Sequence, residues 1–551
     1  MTVTGMSATL PSPALLGFAL AIGLMTNGHG GEPIDSIYAE QEILRESSKP
    51  YRPEFGRAVA ASGDTIVVGA GINGAVHVFV RGETGWREQA RLHAYDENGI
   101  TFGDRFGWSV AISGDTIVVG AVFEDSNARG VDGNPNDNSS TRSGGAYVFV
   151  REGTQWSQQA FLKASNSGST DQFGSAVAVS GDTVAVGALF EDSGSSGVNG
   201  DQANNSASTA GAAYVFVRNG TQWSQQAYLK ASNPDSSDWF GGSVAVSDDT
   251  VVVGAIHEEG NSGGINGDES NNDLRRAGAA YVFVRSGTVW SQQAYLKPAA
   301  PNDLDLFGYS VAASGNTVAV GSYFEGEVGA AYVFARSGIE WHQQAHLQAS
   351  NADPNDRFGY SVAVAGDRLV VGADLEDSDA TSINGDQLSN AADGAGAAYV
   401  FERSGTLWSQ RAYLKASNAE GDDSSKFRGD RLGAAVAATG DYLAIGAPLE
   451  GGPNNTTLGA GAVYVFGTQP SEEEPIAISS VSLTPTGLLL TASPPPDGYV
   501  LSAEYSPDLS ADSWVEIGTF VELGGLWTFA EDDFERGSRR SGFYRGVLRP
   551  L

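Results

Sequence analysis

The amino-acid sequence predicts an all-β protein: a seven-bladed β-propeller closed by an N-terminal strand and followed by a small β-sandwich. Three observations carry that expectation. One phrase recurs seven times, each copy splits into four strand-like runs, and the run missing from the seventh copy stands near the N-terminus. The copies open at Phe55, Phe106, Phe173, Phe240, Phe307 and Phe358, each followed by Gly, and Leu432-Gly433 opens the seventh. Self-similarity at a fixed period marks arrays in which each unit buries its apolar face against the next.

The fullest copy reads FGSAVAVSGDTVAVGA, then an insert, then AGAAYVFVRNGTQWSQQAYLKASN. Its runs alternate β-branched, aromatic and small residues, the pattern of strands. A Ser-Gly-Asp hairpin separates the first two runs, and Arg-Ser-Gly-Thr or its kin separates the last two. Four-stranded sheets repeated radially limit exposed strand edges. Closure is also legible. The seventh copy ends at Phe466 with three runs, and residues 38–47 supply the fourth: Tyr38, Gln41, Leu44 and Arg45 align on Trp223, Gln226, Leu229 and Lys230. The recurring Trp86, Trp156, Trp223, Trp290, Trp341 and Trp408 are read as packing anchors between blades, and the Phe-Gly pair as a wedge with a close turn.

Composition narrows the function. Among 551 residues, 32 Lys+Arg face 66 Asp+Glu, a formal net charge of -34, which disfavours nucleic acid and anionic membrane surfaces. With no Cys there is no disulfide framework, thiolate metal site or Cys nucleophile. Residues 14–25 form an apolar run of signal-peptide length, so residues 1–31 are expected to direct secretion to the cell surface, periplasm or exterior. No other segment is long and apolar enough to span a bilayer as a helix.

Turns between the first and second and between the third and fourth strands are minimal, so all length variation falls on the opposite rim. Long loops on a rigid scaffold are where binding usually lives. Four inserts there align: Glu124, Asp125, Asp132, Asn134 and Asn138; Glu191, Asp192, Asn199, Asp201 and Asn205; Glu258, Glu259, Asn266, Asp268 and Asn272; Glu376, Asp377, Asn384, Asp386 and Asn390. Oxygen donors around a Gly turn are what Ca²⁺ takes, while the plainer alternative is an Asx turn without an ion. A second acidic ring, Asp104, Asp171, Asp238, Asp305, Asp356 and Asp430, lies two residues before each copy's opening pair, with Pro53 as the exception. Turn-capping hydrogen bonds are the favoured role, and a ligand face the other.

An enzyme is not expected. The acids repeat symmetrically, whereas an active site needs a unique constellation, and His77, His93, His342 and His346 each replace a scaffold residue. There is no recurrent His set for zinc and no G-x-S-x-G elbow.

The six Phe-Gly pairs, the Val-Gly-Ala that ends second strands and the literal Gly446-Ala447-Pro448 resemble the FG-GAP repeat, the propeller unit of integrin α-subunit heads and of many secreted bacterial proteins. The resemblance covers roughly residues 38–467 and implies extracellular adhesion or ligand binding, often calcium-dependent. The family's DxDxDG loop between FG and GAP is replaced here by a tight Ser-Gly-Asp turn, so that calcium site maps onto no residue.

Residues 468–475 read as a Pro- and Glu-rich linker, and residues 476–551 as a β-sandwich whose YSPDLSADSWVEIG and GFYRGVL phrases look like the C-terminal β-modules that trail secreted proteins of some environmental bacteria. Arg536, Arg539, Arg540, Arg545 and Arg549 gather basic charge there. The expected function is therefore non-enzymatic adhesion or ligand binding to an extracellular protein or glycan, through the acidic long-loop face. One rival is a lectin-like propeller using Trp108 and Trp239. The other is a polysaccharide-active hydrolase or lyase at the channel mouth, which needs an asymmetric carboxylate or His cluster there.

Overall fold

The computed structural model describes residues 38–46, 54–71, 74–96, 99–100, 103–421, 429–452 and 459–468, and strand segments between 478 and 550. The expected signal segment, the linker beyond Thr468, Ser47, Pro53, Arg536, Arg539 and Arg540 lie outside the described residues.

Seven four-stranded antiparallel sheets form the larger unit, Tyr38–Thr468. Six are sequential, strand one to strand four; blade three, for example, runs Phe173–Ser180, Thr183–Ala188, Ala212–Asn219 and Gln222–Leu229. The seventh is built from both ends of the unit. Strand Tyr38–Leu44 pairs antiparallel with Ala462–Thr468, setting Tyr38 opposite Thr468 and Leu44 opposite Val463. First strands of neighbouring blades touch all the way round, and the seventh touches the first, so the array is a closed ring with those strands innermost.

Why these residues pack this way follows from the repeat. Second strands are buried end to end in six blades, and in blade six from Leu369 onward, as a strand covered on both faces must be. The apolar core lies between blades: Val118, Val148 and Leu162 of blade two meet Phe173, Tyr214 and Trp223 of blade three. Phe173 meets Tyr214 edge-on at 5.4 Å, and Phe240 meets Tyr281 in the same way at 5.4 Å. Glycine sets the distance between blades. The Gly after each opening Phe has φ near +90°, and a methyl built on Gly187 of blade three would run into the carbonyl oxygen of Gly241 in blade four. The same approach joins every successive pair, ending with Gly446 of blade seven against Gly56 of blade one.

The Trp positions are inter-blade anchors. Trp223 donates its indole N–H to Gln159 of the preceding blade at 2.8 Å, and Trp156, Trp290, Trp341 and Trp408 do the same to Gln89, Gln226, Gln293 and Gln344. Tyr38 takes the position in blade seven and donates to Glu402 of blade six at 3.1 Å.

Beyond the propeller, the described strands pair into a four-stranded antiparallel sheet and a three-stranded one, the latter centred on Tyr499–Ser506 beside Phe543–Pro550. Among the described residues, no helix is long and apolar enough to cross a membrane.

Candidate functional site

The four aligned inserts fold back onto their own blades instead of projecting freely. Asn199 sits at φ +56°, donates its backbone N–H to the Tyr228 carbonyl, and accepts the Tyr228 N–H on Oδ1 at 2.9 Å. Asp132, Asn266 and Asn384 use the same conformation to accept from Phe161, Tyr295 and Tyr413. The next oxygens close turns: Asn134 accepts from Asn136, Asp201 from Ala203, Asp268 from Ser270 and Asp386 from Leu388. Asp125, Asp192 and Asp377 accept backbone N–H groups of Arg142, Thr209 and Gly394 across the base of the insert. Asn272 and Asn390 donate to Asp235 and Asp353 of the preceding connection. These are Asx-type closures, the hydrogen bonds expected of an Asn-Gly-Asp turn.

The leading Glu of each insert is the hub. Glu191 accepts from Lys230 at 3.0 Å, Tyr228 Oη at 2.9 Å, Asn166 of the preceding blade at 2.8 Å and the Ser193 backbone N–H. Lys163–Glu124, Lys297–Glu258 and Lys415–Glu376 repeat the pair at 2.7, 2.7 and 2.9 Å, with every Lys side chain fully buried. Burial lowers the Lys pKa values and the facing Glu opposes that shift. Blade seven uses Arg45, from the closing strand, on Glu450 at 2.9 Å. Blade five has neither long insert nor Lys, and its half-buried Glu325 takes Tyr332 and His346. The buried cation and the long insert therefore go together. A charge pair with all its lone pairs occupied is how a buried carboxylate is tolerated. As arranged, this donor set does not fit calcium. The Glu carboxylates already hold ammonium groups, and among the described residues no three acids or histidines converge on one point. Asn138 and Asn205 lie exposed in the same inserts, and Glu259 half-buried.

The second acidic ring closes the connections into the first strands. Asp171 accepts the Gly168 N–H at 2.8 Å, and Asp238, Asp305 and Asp356 accept from Asp235, Asn302 and Asp353. Asp430 accepts from Glu420, while the Asp104 carbonyl accepts the Phe123 N–H. Burial, reinforced by the neighbouring hub Glu, raises Asp171, Asp356 and Asp430 to about 7, Asp238 to about 8 and Asp305 to about 6. Raised carboxyl pKa values mean the folded state binds more protons than the unfolded chain between about pH 4 and these values. Their stabilisation is fully present below the unfolded pKa and is lost as pH rises through about 6 to 8. The thermal midpoint is expected to be higher at pH 5.5 than at pH 8.5, and Asp238→Asn should flatten that slope; a midpoint that rises with pH across this window refutes the assignment.

The inner edge of the same rim is different. There the sevenfold symmetry breaks. The residue before each opening pair is Glu54, Arg105, Gln172, Trp239, Leu306, Arg357 or Arg431, at φ between +51° and +63°. Glycine would occupy that conformation without strain, yet all seven blades carry a side chain. The residue after the pair is Arg57, Trp108, Ser175, Gly242, Tyr309, Tyr360 or Ala434. These positions build an asymmetric mouth around the axis. The Arg57 guanidinium stacks over Trp108 at 3.9 Å, with Arg105 at 4.9 Å from the same ring. Arg105 and Arg142 lie over Phe123 at 4.2 and 4.6 Å. Farther round, Phe190 meets Trp239 at 5.5 Å, and Trp239 packs on His257 at 3.7 Å. Burial, helped by Arg276, drops His257 to about 4, so it is neutral at physiological pH. Tyr309, Tyr323 and Tyr360 cluster within 4.4 to 5.7 Å of one another. Arg431 reaches the buried Asp374 at 2.8 Å and Arg357 at 4.0 Å. Trp108 and Trp239 thus stand where a ligand face was expected, both half-buried. The surrounding Arg and Tyr residues escaped sequence reasoning, and the signal for them was departure from the repeat.

A search of curated proteins returned no match to the chain. The FG-GAP repeat model matches residues 86–149, 156–216, 223–283, 290–334, 341–401 and 408–466. Each matched segment begins at the Trp of one fourth strand and ends at the Phe of the next blade's third strand, so the matched unit straddles the packed interface between blades. With more than half of its length covered in this way, the chain belongs to the FG-GAP repeat family.

Proposed function

We propose that the protein is a secreted or cell-surface, non-enzymatic binding protein of adhesion type, which captures an extracellular protein or glycan on its long-loop face, at the mouth of the axis. The observation that supports this most is the contrast between scaffold and mouth. Hub Glu and anchor Trp each recur in six blades, buried Lys in four and spacing Gly in all seven, while the two mouth positions combine differently in every blade and display Arg and aromatic side chains. Packing between blades keeps the scaffold positions alike, and a ligand without sevenfold symmetry is met by unlike ones. The acids of the inserts serve the loops that frame the mouth. Calcium dependence enters this proposal only if the ion can displace donors from those loops. A thermal melt with millimolar calcium and with chelator decides that, because bound ion raises the midpoint.

The half-buried Trp239, Tyr309, Tyr323 and Tyr360 favour a glycan within this reading, since rings with a polar tip offer flat apolar contact and hydrogen bonds together. The test is a printed glycan array beside a panel of extracellular-matrix proteins. Trp239→Ala should abolish binding on whichever panel responds, whereas Ile339→Ser, on an exposed hairpin of the opposite rim, should leave it intact. Equal loss from both variants, or from neither, rejects the mouth as the binding face.

A further inference from the structure

The mouth carries cations on a strongly anionic protein, and their geometry is specific. Arg57 and Arg105 are stacked beside Trp108, and Arg105 and Arg142 beside Phe123, so aromatic rings hold three guanidinium groups together. Stacking occupies the planar face of a guanidinium and leaves its N–H edge free for a bidentate acceptor. Arg57 has one carboxylate partner, Glu54 at 3.2 Å. Among the described residues, neither Arg105 nor Arg142 has a carboxylate within salt-bridge distance. Burial lowers the Arg105 pKa, and the like charges of Arg57 and Arg142 add to the effect while the Glu54 carboxylate opposes it. An arriving anion would relieve that repulsion. Trp108, Phe123, Arg57 and Arg105 are half-buried and Arg142 is exposed, so the cluster opens to solvent on one side.

We infer that the Arg57–Arg105–Arg142 cluster is a binding site for an isolated oxyanion, a carboxylate or sulfate, carried on an otherwise uncharged glycan. This rests on the reading of the mouth as the binding face. Two arguments select the ligand. First, the chain's net charge of -34 repels a polyanion as it approaches, while at physiological salt the field of the loops is screened beyond about 8 Å. A single anionic group can enter the mouth where a densely charged chain cannot. Second, the ring continues past the arginines into Phe190, Trp239 and the Tyr309–Tyr323–Tyr360 cluster, apolar faces with hydroxyl tips suited to the uncharged remainder of a sugar chain. An acidic peptide offers the same oxyanion, so it is an outcome of the test.

The experiment uses the full chain on a printed array holding neutral glycans, the same glycans bearing one uronate or one sulfate, heparin-type polyanions and acidic peptides. Binding is expected on singly charged glycans. It should weaken about 10- to 100-fold in Arg105→Ala and Arg142→Ala, since a charge-assisted hydrogen-bond pair is lost. Comparison of the uronate and sulfate arms tells which oxyanion is taken. Arg105→Lys keeps the charge but not the fork, and should recover only a minor part. Thermal midpoints within a few degrees of the parent show that the variants fold. Preference for heparin or acidic peptides, equal binding to neutral glycans, or absence of binding to any charged glycan overturns the inference. If neutral glycans or matrix proteins bind and only Trp239→Ala abolishes it, the mouth stands as the binding face and the oxyanion assignment fails. If no mouth variant alters binding, both fall.

Discussion

Removing residues 38–46 is expected to abolish the folded propeller. The deleted strand is the outer strand of blade seven, and its loss leaves the backbone of Ala462–Thr468 unpaired along one edge. The same few residues tie three blades together. Tyr38 reaches Glu402 and Glu40 caps Ser417 in blade six, Arg45 neutralises the buried Glu450 in blade seven, and Glu42 accepts the Trp86 backbone N–H in blade one at 2.8 Å. Deletion therefore exposes an edge, strands a buried carboxylate and frees the seam at once. The expected result is an aggregating chain without a cooperative melt, measured by size-exclusion chromatography and differential scanning calorimetry. A synthetic peptide of residues 38–46 added in trans should restore the transition in a concentration-dependent way. A truncated monomer with the parent's midpoint would remove closure as the source of stability.

Lys230→Met is expected to be strongly destabilising. It leaves Glu191 buried opposite an apolar side chain, and breaking a buried pair from one side costs about 3–5 kcal/mol. The loss arises from the uncompensated charge more than from the missing contact. Adding Glu191→Gln to Lys230→Met should therefore recover much of the stability, because Gln keeps an acceptor for Tyr228 Oη and Asn166. Chemical denaturation of the parent, both singles and the double closes the cycle. A double variant as unstable as the sum of the singles would show that the pair is not coupled.

The difference between these two cases shows what a sequence can display. Closure was legible because Arg45 and Tyr38 fall in register with Lys230 and Trp223, and pairing along a strand preserves register. The Trp anchors were legible for the same reason. The hub was not. Glu191 and Lys230 are separated by the insert and two whole strands, and the insert reads as solvated until the φ of Asn199 turns it back onto Tyr228. The inserts looked like cation ligands because the side chains that close an Asx turn are those that would coordinate calcium. Telling the two apart requires knowing which N–H each oxygen faces. The mouth was hidden for another reason. Arg57, Trp108, Trp239 and Tyr309 are separated by whole blades, and averaging over a repeat discards the positions that fail to repeat.

The glycine contacts between blades carry a consequence for how this molecule can vary. Gly187 meets Gly241, and the other six junctions are alike, so atoms common to every amino acid govern the circumference. Side chains at the mouth can then be exchanged without altering the angular step from one module to its neighbour. Such a frame allows recognition to diversify through single substitutions while the geometry that presents them holds constant.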